Sequence, residues 1–464
     1  MQLSNEEEDY NLSLSKFESM LKTNKVLFFD SEEFEEIILH YLDIGKANLA
    51  KKALKLALDQ HPKSTGLKLV QVEMLVYDDK LDIAEKLLNE LYAIEPNNEE
   101  IYIQKANICS KRDQHEKAVE LLKIALQYTD DYADVYNLIG MEYLFMDNLE
   151  LAKDSFIKCL EEDLEDQSAL YNVVYCFEFL DQNQEAIVYL NEYINRNPYS
   201  EIAWHQLGRL HHGVKEYEAA IRAFDYATLI DDEFLGAFME KAKAYERLKK
   251  YNEAIESYNR TIELDDATSY ALLRIGKCYE KLGNLAKAIQ YYNQTVHEDP
   301  LLDKGWIAIT DFHLRQKNYQ KALFFVNKAL AIDNQNRLYW KRYATINKQM
   351  NFFEEAEFGF RKAVEFGDYA LDTWLYWVDI LQFLGEFETA IQTLLQATEY
   401  FPEENEIEYR LAGLYFMIQD NTKAKFHLSN GLRLNFDNYI LIEDLFPVVW
   451  TKKTVKNYIE KHRK

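Results

Sequence analysis

Proline and glycine are scarce, at 6 and 14 in 464 residues, too few for a loop-rich β protein or an enzyme built on many tight turns. The four cysteines, Cys109, Cys159, Cys176 and Cys278, have no CxxC and no ligand spacing, which suits buried thiols in a reducing compartment. No stretch of about 18 apolar residues occurs, so no helical membrane span is expected. Positive charge is in deficit, with 53 Lys+Arg against 79 Asp+Glu and a net charge of −26. That balance argues against a protein that coats nucleic acid with its whole surface. The acidic start, MQLSNEEEDY, has none of the basic-then-apolar pattern of a secretory signal, and a cytoplasmic location is expected. Apolar residues are plentiful, at 48% with 33 Tyr and 26 Phe, which excludes general disorder.

The order within this composition is a repeat. Alanine recurs at Ala50, Ala84, Ala118, Ala152, Ala186, Ala220, Ala254, Ala288, Ala322, Ala356, Ala390 and Ala424, always 34 residues apart. Twelve such units run from Ser31 to Asn438 without insertion or deletion. Each holds two apolar runs at helical spacing. In the unit from Glu201 the first is Trp204, Leu207, Gly208 and His211, and the second is Ala220, Phe224 and Ala227. Gly45, Asp79, Asp147, Asp181, Gly283 and Gly385 share one phase between the runs and mark a turn, so each unit reads as a helix–turn–helix hairpin. Pro62, Pro96, Pro198, Pro300 and Pro402 close units at a common phase, where a missing amide donor ends a helix.

These features resemble the tetratricopeptide repeat (TPR), with its W-x2-L-G-x2-Y, A-x3-F and P pattern. Trp204-x2-Leu207-Gly208 matches, with His211 where Tyr is usual. The unit from Ser269 matches in Ile275-Gly276, Tyr279, Ala288, Tyr292 and Pro300. The array is similar to long bacterial cytoplasmic TPR proteins of unassigned role. The resemblance implies an all-α fold, an α-solenoid in which stacked hairpins form a right-handed superhelix. Close approach of the two helices explains the alanine. Seven units also keep a small residue facing it: Ala106, Gly140, Gly208, Ala242, Gly276, Ala344 and Ala412. The five with Ile38, Val72, Val174, Thr310 and Val378 are expected to splay slightly.

Stacked hairpins expose an apolar face at each end, which calls for caps. The expected organisation is therefore residues 1–30 as an amphipathic capping helix and clasp, 31–438 as the twelve repeats, and 439–464 as a C-terminal cap and basic tail. Tyr10, Leu14, Phe17 and Leu21 make one helical stripe, and Val26 to Phe29 form the clasp. At the other end Val455, Tyr458 and Ile459 share a face, among cations that are set to offset Glu443 and Asp444. Either terminus could instead be a docking handle, with the tail a tether to an acidic surface.

Thirty residues before the repeats and 26 after leave no room for a catalytic domain, and no phosphate loop, dinucleotide turn or zinc-protease motif occurs. No enzyme activity, cofactor or metal is expected. His205, Arg209 and His212 share a helical face beside His211, which reads as polar groove lining rather than a metal site. The family implies that the first helix of each unit lines the inner groove. The exposed stripe of those helices begins with aromatics, including Tyr171, Tyr175 and Phe179. It continues with His205, Arg209, Lys243, Arg247, Lys277, Lys281, Arg315, Lys341 and Lys348, then returns to aromatics, including Tyr409 and Phe416. Residues 201–350 hold 22 Lys+Arg and 20 Asp+Glu, so this segment keeps its cations in an acidic chain. Such a groove suits an acidic or extended segment of a protein partner. The lysine–asparagine clamp of chaperone-tail TPR proteins does not carry over, since no Asn pair stands beside Lys277 and Lys281. The expected function is a non-catalytic protein-binding scaffold or adaptor. It would work within a larger cytoplasmic or membrane-associated assembly such as a secretion machine or ribosome, with no transmembrane segment of its own. The alternative is an RNA-associated helical-repeat protein.

Overall fold

The computed structural model describes residues 13–22, 27–264 and 268–462, and among them the regular structure is helical with no strand. Twelve hairpins follow one another, and eleven of their first helices begin in strict 34-residue register, from Ser31 to Asn405. The exception is the helix Tyr132–Phe145, which starts one residue early after a shortened helix, His115–Ala125. The chain divides into two compact bodies, Met1–Asp232 and Glu233–Lys464, each with six hairpins that pack successively on one another. The uninterrupted repeat carries no sign of that division. No helix among the described residues is long and apolar enough to cross a membrane.

The starts and turns repeat as regularly as the helices. Asp30, Ser64, Asn98, Asp166, Ser200, Thr268 and Asn336 each cap a first helix by accepting from a backbone N–H two or three residues on. Every hairpin turn holds one residue at positive φ, at 34-residue intervals from Gly45 to Gln419. There the amide one position later donates to a carbonyl five residues back, as Lys46 does to Tyr41 and Glu216 to His211. Glycine, asparagine and aspartate suit this left-handed position, but Lys215, Lys249, Lys317 and Gln419 also occupy it, with φ between 55° and 67°. A lysine there gives no turn signal in a sequence. A second tie joins hairpins: Trp204, Trp306 and Trp340 donate their indole N–H to the carbonyls of Pro198, Pro300 and Asn334 at 2.8–3.0 Å. Tyr102 does the same to Pro96.

All twelve alanines of the repeat are fully buried. The facing residue approaches the alanine's backbone, as at Gly276 and Ala288, but meets a larger neighbour still closer. A Cβ added to Gly140, Gly208 or Gly276 would lie 2.5–2.6 Å from the ring of Phe156, Phe224 or Tyr292, four residues past the alanine. The small residue makes room for a ring. Where the first helix carries Ile38, Val72, Val174, Thr310 or Val378, that second-helix position holds Leu54, Leu88, Leu190, Val326 or Leu394, all buried. Bulk lost on one helix is added on the other, so the residues used to predict splay do not by themselves require it.

Both described ends pack onto neighbouring hairpins. Phe17 is fully buried with its ring 6.0–6.3 Å from those of Phe29, Phe34 and Tyr41. Residues 27–29 are tied to the second helix of the first hairpin, where Gln60 accepts from Phe29 N–H and donates to the Leu27 carbonyl. Tyr10 and Val26 lie outside the described residues. At the C-terminus Phe446 covers Gly413, and Val449, Val455 and Ile459 join the core of the last hairpins, with Tyr458 partly buried beside them. Lys452 and Lys456 lie over the rings of Phe416 and Trp450.

Candidate functional site

Eight cations were singled out on the exposed stripe, and the structure separates them by what they touch. In the N-terminal body, Arg209 reaches Glu178 at 3.5 Å and donates to Gln206. In the C-terminal body Lys243 pairs with Glu240 at 2.7 Å, and Arg315 with Glu280 at 2.6 Å. Lys341 pairs with Asp372 at 2.8 Å, and Lys348 stands 3.9 Å from Asp379 and over the Tyr376 ring. The remaining three, Arg247, Lys277 and Lys281, have no carboxylate partner among the described residues, and all three line one open depression of ≈ 760 Å³.

That depression is formed by hairpins seven to nine, chiefly by the helices Leu235–Arg247, Ser269–Lys281 and Asp303–Arg315. Its wall carries Arg247, Arg274, Lys277, Lys281 and Arg315 against Glu246, Glu280 and Asp311. The three acids are already committed. Glu246 accepts both arms of Arg274, at 2.9 and 2.6 Å, and the Tyr258 hydroxyl at 2.7 Å. Glu280 accepts from the Tyr292 hydroxyl at 3.0 Å besides its pair with Arg315. Asp311 accepts two bonds from Arg342, at 2.8 and 3.0 Å. Burial, and then the charge on Glu246, push the Tyr258 hydroxyl above its ordinary range. Burial likewise disfavours the charge on Arg274, but Glu246 outweighs it and holds the guanidinium protonated. Lys277 is the opposite case: burial, and then the neighbouring Arg274, push its ammonium below the usual lysine range. An anion entering the depression would reverse that imbalance.

Sequence reasoning missed the organising acids and tyrosines, although Glu246/Tyr258 and Glu280/Tyr292 repeat one twelve-residue spacing a repeat apart. It also placed two residues wrongly. Tyr409 is fully buried and donates to the Asn435 carbonyl, and Phe416 is buried under the C-terminal segment, so neither is on an exposed stripe. A helical wheel of one repeat omits the segment that packs over the last. Tyr171, Tyr175 and Phe179 are exposed in the N-terminal body, with the last two rings 4.4 Å apart. His205 and His212 face the rings of Phe224 and Tyr217, and His211 bonds to Glu216 at 2.8 Å. Among the described residues no group of three His, Cys, Asp or Glu gathers that could hold a metal. The expected offset of tail charge at Glu443 and Asp444 gives way to Lys452 and Lys456 lying over rings.

Three family models described as tetratricopeptide repeat match the chain, at residues 205–268 and 239–302, 75–141, and 133–166. Among curated proteins, Anaphase-promoting complex subunit 3 of Schizosaccharomyces pombe is 24% identical over 157 residues. The match covers 34% of this chain and about a quarter, 24%, of that protein's length. Among solved structures, the hetero-tetramer Cut9-Hcn1 of the APC/C aligns with a TM-score of 0.35 and 12% identity, covering 100% of this chain and 95% of that one. A tetratricopeptide repeat protein from Parabacteroides merdae aligns at 0.40 and 14%, covering 53% and 97%.

Proposed function

The chain is a tetratricopeptide repeat protein, and we propose that it works as a non-catalytic scaffold or adaptor in the cytoplasm. On this reading it holds an acidic, extended segment of a partner protein against the first-helix face of its C-terminal body. One observation carries the proposal: Arg247, Lys277 and Lys281 surround a single depression whose own carboxylates are already paired. Uncommitted cations in a partly desolvated wall attract anions more strongly than the same charges spread over open surface. The carboxylates of a peptide fit that requirement, and the hairpins that follow in the same body continue the helix surface for its chain. The relative matched over a short stretch is by name a subunit of the anaphase-promoting complex, which supports work inside a larger assembly.

The test is a fluorescent glutamate-rich peptide titrated against the full chain and against the exposed pair Arg247→Glu/Lys281→Glu. The expected loss on reversing two charges is at least about ten-fold, with affinity falling as salt rises. Unchanged affinity in a folded double variant would remove the site. Firm, salt-sensitive retention of the chain on heparin, with no peptide binding, would favour the RNA-associated reading instead.

A further inference from the structure

Three cations of the basic depression, Arg247, Lys277 and Lys281, stay unmatched after its acids have found their partners. The local geometry groups them. Lys277 and Lys281 are one turn apart on the helix Ser269–Lys281, so they share a face. Arg247 ends the neighbouring helix, Leu235–Arg247, and the bonds from Arg274 to Glu246 tie the two helices together beside it. Lys277 is half-buried in the wall, whereas Arg247 and Lys281 are exposed.

The unmatched charge is also confined. Arg247, Lys281 and Arg315 hold one phase of hairpins seven, eight and nine, and that phase carries Gly213 before them and Gln349 and Phe383 after. Elsewhere on the stripe of this body, Lys243, Lys341 and Lys348 each stand 2.7–3.9 Å from a carboxylate. A polyanion such as RNA presents a phosphate at every nucleotide and calls for a track of cations. Three unmatched cations in one depression call for a compact anion instead. A single carboxylate answers one of the three. A phosphoryl monoester brings about −1.5 to −2 charge at neutral pH and three strong acceptor oxygens, enough for all of them. At Lys277, burial and the Arg274 charge outweigh the attraction of Glu246 and Asp311 and push the ammonium below its usual range. A dianion against that ammonium offsets both causes.

We propose that the anchor taken by this depression is a phosphorylated side chain of the partner protein, its phosphoryl oxygens accepting from Arg247, Lys277 and Lys281. The proposal rests on the reading of the depression as the partner site, and it makes that contact conditional on phosphorylation. Arg247 supplies a planar fork for two oxygens, and the lysines act as point charges with donors that can turn toward the remaining lone pairs. Adding the phosphate to the partner switches the contact on, and removing it switches the contact off.

The experiment titrates the full chain with four fluorescent peptides of one glycine–alanine sequence, with serine, phosphoserine, phosphotyrosine or two adjacent glutamates at the centre. At least one phosphopeptide is expected to bind about ten-fold tighter than the glutamate pair, which carries a similar total charge, and the serine peptide is expected not to bind. The tighter phosphopeptide identifies the side chain. Lys277→Met, with its fold checked by a melting curve, is expected to lower phosphopeptide affinity about ten-fold and glutamate-pair affinity by less. That difference separates a three-point contact from general attraction. Glutamate-pair binding equal to that of both phosphopeptides would overturn the phosphate assignment while leaving the acidic-partner reading intact. No binding by any peptide would remove both. A single-stranded RNA oligomer that binds more tightly than either phosphopeptide, and loses affinity in Lys277→Met, would reassign the depression to nucleic acid.

Discussion

Single residues in this chain trade local stability for exposed chemistry. Lys277 is the clearest example, a half-buried cation beside Arg274 with no paired carboxylate among the described residues. A lysine pKa lowered by folding means the folded state binds fewer protons than the unfolded one between the folded value and 10.5. Stability therefore rises with pH across that window, and the penalty is fully present below it. Lys277→Met is accordingly expected to raise the melting temperature at neutral pH while lowering affinity for an acidic peptide. Calorimetry and the peptide titration read the two effects separately, and a lower melting temperature would refute the penalty. Lys249 illustrates a backbone counterpart. Its φ of 59° disfavours any residue with a Cβ by about 1 kcal/mol, so Lys249→Gly is expected to stabilise the protein by a few tenths to about 1 kcal/mol in denaturant unfolding.

At the scale of the element, seven helix pairs set Gly or Ala on one side against a ring or leucine on the other, and the remaining five share the volume between two branched chains. The rule is readable from sequence once the partner position is known. Position 208 paired with 224, and 276 with 292, keeps one sixteen-residue offset. The terminal elements follow different reasoning. The helix Lys453–Lys461 buries Val455 and Ile459, with exposures of 1% and 4%. Deleting residues 452–464 withdraws that burial, an expected loss of about 3 kcal/mol or more. It also opens the surface of hairpin twelve. Because each hairpin touches mainly its neighbours, hydrogen exchange should rise first in residues 405–434 and leave hairpins seven and eight protected. Loss of partner pelleting with unchanged exchange would identify the tail as a tether instead of a cap.

At the scale of the whole molecule, a net charge of −26 opposes compaction through self-repulsion, while individual surface ion pairs contribute little. Added salt screens both, and the larger effect is the repulsion. The melting temperature is expected to rise between low and near-physiological salt, whereas affinity for an acidic peptide falls over the same range. A falling melting temperature would mean that the ion pairs dominate. The all-helical hairpins, their 34-residue period, the buried alanines and half of the turn positions were legible in the sequence. Each depends on contacts within one repeat, and twelve copies of the pattern outweigh local noise. The cations of the candidate site were legible as types and positions. Which of them remain available was not, because apart from Lys243, paired with Glu240 on its own helix, that depends on acids 31–35 residues away on neighbouring hairpins, such as Glu280 for Arg315 and Asp372 for Lys341. The burial of Tyr409 and Phe416 and the division after Asp232 were decided in the same way. A periodic sequence determines which face a residue occupies, and only the packed neighbours determine whether that face stays open and its charge uncommitted.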